Sequence, residues 1–412
     1  MTEQAEKTPL YSWYALALLM VIYVLNFLDR TIIYILFPLI KKEMEFSDTQ
    51  LALLGTTSFV IFYTILGIPF GRIADRGSRS KIIAIGVIVW SLFSGLTAFA
   101  NDFWTLFACR LMVGVGEATL GPAAISLLAD YFPPARRATV TSIYSMGIAI
   151  GAGMAALLGG SLSQFGWRTA FMLIGFPGIV FGMLAFVLKE PSRTIAAAND
   201  VNYSPTDWKR LLKNPIFILL CLGYSLFGLA TNSISIWGAV FISRVHTIDI
   251  PTYGFWAGVM TLAAGIPATL FAGALADWFK AKGFGRMAFG TLLCLISVPL
   301  WIAVLFSGNF YVIVPAGFLL LFTGLGWVGA AAADVTEIAG VNLRGLGIAM
   351  FFFAVNVGSY LIGSNVIGIL SDRFGSTAEP KMLSYALLVC PAACLLGAIL
   401  LFAGNRKMKA VA

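Results

Sequence analysis

Two neighbouring charges, Asp29 and Arg30, interrupt the apolar stretch VLNFLDRTII at 24–33, and Arg110 and Glu117 interrupt a second one, RLMVGVGEA at 110–118. In such surroundings a carboxyl can take up and release a proton, and a guanidinium can hold an anion through charge-assisted bonds. The spacing lets these groups cooperate. Residues seven apart on a helix lie two turns apart and within about 20° of one face, so Arg110 and Glu117 point the same way, roughly 10.5 Å apart along the axis. Gly114 lies between them and leaves room for a neighbouring helix or a ligand. At 1.5 Å per residue, Arg110, Asp29 and Glu117 fall roughly 10, 16 and 21 Å below one membrane face. Asp29 and Glu117 are therefore expected to be proton-titratable groups held near Arg110, with the arginine free to bind an anion when its partners are protonated. Arg30, about 100° round from Asp29, is expected to point to a helix neighbour or a cavity wall. The bland alternative is a fixed salt-bridge network that never titrates.

The elements that must position these groups follow from composition. The chain has 412 residues, 59% hydrophobic and only 11% charged, against about a quarter charged in soluble domains. It reads as an all-α integral membrane protein. A charge at the bilayer centre costs at least about 2.5 kcal/mol, so the four intramembrane charges should face the bundle interior, paired. Apolar runs long enough to cross a bilayer lie at about 12–40, 51–71, 82–100, 103–131, 137–164 and 169–188, then at 216–243, 252–276, 287–306, 309–333, 345–371 and 383–404. This gives twelve transmembrane helices in two pseudo-symmetric six-helix bundles, 1–188 and 215–412, joined by a polar linker at 189–214. In the linker Ser204 and Pro205 should start a short amphipathic helix, with Trp208, Leu211 and Leu212 on the membrane surface.

Most of the 27 lysines and arginines collect on the side that holds both termini, which makes that side cytoplasmic by the positive-inside rule. The first apolar run is too long for a signal-peptide core and lacks a cleavage pattern. Five cysteines, all in apolar stretches, support neither a disulfide framework nor a metal site. The net charge of +8 is explained by topology, so no nucleic-acid partner is expected. No nucleotide loop, metal cluster or nucleophile with a histidine suggests an enzyme or a cofactor.

The halves echo each other: GRIAD (71–75) returns as GALAD (273–277), and LLADYFPPARRATV is echoed by AAADVTEIAGVNLRGLG, aligning Asp130 with Asp334 and Arg137 near Arg344. The loop GRIADRGSRSK (71–81) resembles the signature of the major facilitator superfamily, and NFLDR with RLMVGVGEA resembles its Spinster-like branch, whose animal members are implicated in moving lysolipids and sphingosine phosphate. The resemblance covers the whole chain and implies the major facilitator fold, alternating access, and a cytoplasmic gate. Gly71, Asp75, Arg76, Arg79, Asp130 and Arg137 are the gate candidates, with Asp75 at a helix N-terminus beside arginines. It further implies a monomer in a bacterial inner membrane with protons, membrane lipids and a small-molecule or lipid substrate as partners.

At the repeat offset Arg110 falls on Val314, Glu117 on Leu321, and Asp29 near Thr231 to Ser233, so spans seven to twelve, bounded as above, have no ionisable interior residue. Thr231, Asn232, Asn356 and Tyr360 are candidates for a weakly polar cavity wall. A cavity charged on one side and apolar on the other suits an anionic amphiphile such as a lysolipid or sphingoid phosphate. A small organic anion or sugar acid carried with protons is the alternative among carriers, and a channel or lipid-binding receptor the alternative outside them. Gly147, Gly151, Gly153, Gly159 and Gly160 suggest close helix packing and partly resemble the superfamily's exchanger signature, without its Gly-Pro. His246 reads as a solvated loop residue, and Gly121-Pro122 as a hinge.

Overall fold

In the computed structural model, residues 9–191 and 207–411 are described, apart from the side chains of residues 68, 71, 72, 75, 76, 134, 135, 138, 207, 341, 342 and 411. Among the described residues, twelve helices are long and apolar enough to cross a membrane. They are α1 (Leu10–Met44), α2 (Asp48–Gly67, continuing to Arg76), α3 (Arg79–Leu96), α4 (Phe103–Tyr131), α5 (Pro134–Leu162), α6 (Trp167–Phe186), α7 (Pro215–Val245), α8 (Ile250–Ala281), α9 (Arg286–Phe306), α10 (Phe310–Gly340), α11 (Leu343–Arg373) and α12 (Met382–Ala410). Most run past the expected bounds because apolarity marks the hydrocarbon width, whereas the hydrogen-bonded helix continues into the polar zone. We call the end of the bundle with both termini the terminal face and the other the far face.

Capping side chains set many starts. Ser47 accepts from Gln50 N and the Gln50 side chain answers to Ser47 N, a capping box at α2, while Asn214 caps α7 and Asp249 caps α8. Gly340, at φ +71°, is the left-handed residue that breaks α10 from α11. The hinge expected near Pro122 is a break at Ala118–Thr119, between Phe103–Glu117 and Leu120–Tyr131, which leaves Glu117 at the last turn of its segment.

Glycines in α5 let it pack on both sides. A Cβ on Gly147 or Gly159 would press on Tyr23 or Ile32 and Ile35 of α1, whereas one on Gly153 or Gly160 would meet Leu262 at 2.6 Å or the Gly254 Cα at 2.8 Å in α8. A continuous core therefore joins the halves toward the far face, where Ile33, Leu36 and Phe37 of α1 share a cluster with Trp237 and Phe241 of α7. Linker residues Ser204 and Pro205 lie outside the described residues. The linker helix is Asp207–Lys213. Trp208 and Leu212 are exposed as expected, but Leu211 is buried in the core and does not lie on a surface.

Candidate functional site

The four intramembrane charges of the first half do converge, but not in the expected pairing. Arg30, not Arg110, holds Glu117: its Nη2 and Nε donate to Glu117 Oε2 at 2.7 and 3.1 Å. Arg110 is completely buried and gives one bond, Nη1 to the Asp29 carbonyl at 3.3 Å, while its Nε and Nη2 have no partner among the described residues. The Asp29 carboxylate turns away to α3 and accepts from Ser94 Oγ at 2.7 Å. Asp29 and Glu117 are each 1% exposed, whereas the Arg30 side chain keeps 13% of its surface. The group that reaches the space between the halves is therefore Arg30.

The reason is the rotation of α1. Its face around Val24, Phe27 and Ile35 is fixed against Gly151 and Gly159 of α5, and Asp29 and Arg30 fall on opposite flanks of that face because they are about 100° apart. One flank meets α3, the other α2. There Arg30 Cζ lies 4.8, 4.5 and 4.7 Å from the ring centres of Phe27, Phe59 and Tyr63, a three-ring setting that favours a cation. Gly114 serves close approach, as expected: a Cβ there would lie 2.7 Å from the Phe59 carbonyl oxygen. Without it α2 could not bring its two rings over the guanidinium.

Of the second-half candidates, Tyr360 donates from its hydroxyl to Asn232 Oδ1 at 2.9 Å, and Asn232 Nδ2 donates to the Gly228 carbonyl. Tyr360 also lies within electrostatic reach of Arg30. Asn356 is half-buried one turn before Tyr360, and Thr231 is buried and turned to its own helix, toward the Gly228 carbonyl.

The second half, with Thr31 and Ile35 of α1 and Ala152 and Ala156 of α5, encloses an apolar cavity of about 120 Å³ that none of the four charged residues lines, several times the roughly 10 to 15 Å³ that one water requires. Its walls include Thr31, next to Arg30, with Trp237, Tyr253, Trp256 and Trp301 of the second half. Val314 and Leu321, the repeat mates of Arg110 and Glu117, also line it. One correction to the sequence reading follows: the second half does contain a buried acid. Asp334 in α10 is completely buried, with neither carboxylate oxygen hydrogen-bonded among the described residues. It was placed outside the span because the apolar run ends at 333, while α10 continues to Gly340.

At the terminal face each half carries its own ion cluster. In the first, the buried Arg79 donates to Asp130 at 2.5 Å, to Ser126 at 2.9 Å and to Glu190 at 2.7 Å. In the second, Arg286 donates to Asp277 at 2.7 Å and Glu337 at 3.0 Å, and lies 3.8 Å from Asp334. Glu190 escaped the sequence reading because it sits in the polar linker, where acids are common. Burial would raise its carboxyl, but the bonds from Arg79, Ser80 and Ser78 outweigh this and hold it below the usual carboxylate range. Gly71, Asp75 and Arg76 lie near the C-terminal end of α2, not at a helix N-terminus, and their side chains are outside the described residues. The residue that starts α3 is Ser78. Arg137 Nε donates to the Phe132 carbonyl at 3.4 Å. His246 is not a freely solvated residue, since its ring packs edge-on against Phe241 at 5.3 Å and burial lowers its basicity.

The Major Facilitator Superfamily model matches residues 19–363. The chain is 29% identical to an MFS-type efflux pump of Mycolicibacterium smegmatis, across 97% of this chain and 94% of that one. It is 26% identical to protein spinster homolog 1 of Xenopus tropicalis, across 90% and 76%. Among solved structures it is similar in fold to a bacterial homolog of the human lysosomal transporter Spinster in an inward-facing, unoccupied conformation, with a TM-score of 0.85, 24% identity, and coverage of 97% and 98%. Twelve apolar helices in two like halves, charged at the centre of one and apolar at the centre of the other, thus come with a family: the chain is a transporter belonging to the major facilitator superfamily, and within it resembles the Spinster proteins.

Proposed function

We propose that the protein carries an anionic amphiphile by proton-coupled alternating access, with its terminal face in the cytoplasm. The observation that supports this most is Arg30: a guanidinium among three rings, neutralised by one buried carboxylate, on a helix whose next residue, Thr31, lines an apolar cavity shared with the second half. A phosphate or carboxylate head can replace Glu117 as its counter-charge once Glu117 takes a proton, and an acyl chain fits the wall of Trp237, Trp256 and Trp301. Asp29 and Arg110 support the position of α1 from behind. Head-group recognition is assigned to Arg30 because Arg110 has no exposed surface.

A charge-assisted bond to the head contributes about 1.5 to 3 kcal/mol. A tail gains roughly 0.8 kcal/mol per methylene only when it comes from water, so one taken from the bilayer adds little. Thermal shifts of the purified protein should accordingly rank a lysophospholipid bearing a phosphate head above the neutral alcohol of equal chain length, with a shallow dependence on chain length. Arg30→Ala should erase the preference for the charged head. Glu117→Gln should leave binding in place and remove its pH dependence. A sugar acid that outcompetes every lysophospholipid would replace this reading with that of a small-anion carrier, and a preference that survives Arg30→Ala would remove Arg30 from it.

A further inference from the structure

Among the described residues, hydrogen bonds between the two halves gather toward the far face, and many converge on one acid. Asp48, the first residue of α2, is completely buried. Its carboxylate accepts from Lys41 Nζ at 2.6 Å, from Arg244 Nη1 and Nη2 at 2.7 and 2.8 Å, and from the Ser371 and Ser376 hydroxyls at 2.5 and 3.2 Å. Arg244 ends α7, and Ser371 lies in α11, so a first-half carboxylate is enclosed by second-half donors. A reciprocal contact lies beside it. The Asp372 carboxylate of α11 accepts from Asp48 N at 2.9 Å, Thr49 N at 2.8 Å and Thr49 Oγ1 at 2.6 Å, so an acid of one half caps a helix of the other. The backbones are correspondingly close: a Cβ on Gly368 would lie 2.8 Å from the Asp48 carbonyl oxygen.

Below this contact both helices depart from α-helical winding at facing positions. α2 has a π-turn at Leu53–Thr57 and α11 has one at Val357–Gly363. Asn365 Nδ2 bridges them to Thr57 Oγ1 at 2.7 Å. Each π-turn also borders the Arg30 site, since Phe59 and Tyr63 follow the first and Tyr360 lies in the second. Such turns are weak points in a helix and mark functional positions more often than chance.

We infer that Asp48 and Asp372 form a two-point clasp that closes the far face, and that the ends of α2 and α11 beyond the paired π-turns are its two leaves. The inference rests on the alternating-access reading above but not on any substrate. Opening would have to break a buried carboxylate's bonds to Arg244 and to the Ser371 and Ser376 hydroxyls, while Lys41, of its own half, stays with it; the change occurs in one step because a half-broken buried pair is strongly disfavoured.

Spin labels on the full-length protein in lipid nanodiscs, at the exposed positions Lys42 and Phe374, would report the separation of the far ends without ligand. Asp48→Asn and Asp372→Asn should each raise the far-face-open population relative to the closed one by roughly tenfold or more, about 1.4 kcal/mol. Glu43→Gln is the control, because Glu43 is an acid of the same face whose described bonds go to Trp167 and Arg168 of its own half; it should leave the distances unchanged. Should Asp48→Asn fail to fold, Arg244→Gln attacks the same clasp from the other half and Thr49→Val removes a single hydroxyl bond. Distances in the Asp372→Asn and Arg244→Gln proteins equal to those of Glu43→Gln would overturn the clasp. A lack of lysophospholipid binding would leave it standing, since the readout contains no ligand.

Discussion

The two halves use one scaffold for opposite interiors. At the terminal face they are alike, an arginine at the start of α3 or α9 holding acids of neighbouring segments: Arg79 with Asp130 of α4 and Glu190 of the linker, Arg286 with Asp277 of α8 and Glu337 of α10. At the centre they diverge. Where the first half places Arg110 and Glu117, the second places Val314 and Leu321, and a charged cluster becomes an apolar cavity. The difference teaches that the repeat preserves what the fold needs, helix ends tied together, and varies what a cargo would touch. If so, exchanging residues at mated positions should be tolerated at the ends and not at the centres.

The largest expected effect comes from imposing the first half's chemistry on the second. Leu321→Glu would put a carboxylate into an apolar wall with no cation near it, and an unpaired buried charge costs several kcal/mol. Its thermal midpoint in detergent should collapse, or the protein should fail to accumulate. A midpoint within a degree of wild type would mean that the second-half centre is already wet and charge-tolerant, and the contrast between halves would lose its basis.

Next is the removal of one partner inside the charged centre. Arg30→Ala leaves Glu117 buried without its cation, a loss of about 3 to 5 kcal/mol, and Glu117→Gln in the same chain should recover much of it because the orphaned charge is gone. Arg110→Ala should behave differently. It removes a cation whose only described bond is to a backbone carbonyl, so Glu117→Gln should not rescue it. Equal rescue of both arginine variants, measured by thermal midpoints of the four proteins, would show that Glu117 is shared between them.

These predictions turn on a detail that the amino-acid sequence could not supply. The spans, the repeat and the convergence of four charges were legible because apolar length, internal echo and the cost of buried charge leave strong local marks. Whether Asp29 or Arg30 reaches the space between the halves was not. Adjacent residues differ by about 100°, and the choice between two flanks is made by how α1 seats on Gly151 and Gly159 of α5, a tertiary fact. Asp334 was missed for a milder reason, a span end drawn seven residues short of Gly340. Leu211 was misplaced because a seven-residue helix has too few positions to tell a membrane-facing side from a packed one.

A smaller effect tests the similarity at the helix ends. The bonds from Arg79, Ser80 and Ser78 hold the Glu190 carboxyl below the usual range. A group with a lowered folded-state pKa stabilises above its unfolded value, about 4.3 for glutamate, and that contribution fades as pH falls through the folded value. Wild type should therefore be more stable than Glu190→Gln at neutral pH, and the two midpoints should converge as pH drops below about 4. A difference that persists undiminished at low pH would show that packing of the side chain, and not its charge, ties the linker to the first half.

The smallest effect concerns one mated pair of caps. Asp102 starts α4, accepting from Thr105 N at 2.9 Å, and Asn309 starts α10, accepting from Tyr311 N at 2.9 Å. Both satisfy otherwise unpaired amides of a first turn, so Asn309→Ala should cost about 1 kcal/mol. Asp102 adds a negative charge at the positive end of a helix dipole, and its bonds to Thr105 hold its carboxyl below the usual aspartate range. Asp102→Ala should therefore cost more than Asn309→Ala at low ionic strength and neutral pH. With the sign of a lowered acid, that excess should vanish as pH falls through the folded value, and high salt should shrink it too. An excess insensitive to both would assign the difference to the shape of the two caps and remove charge from this pair of helix starts, where the two halves use different residues for the same task.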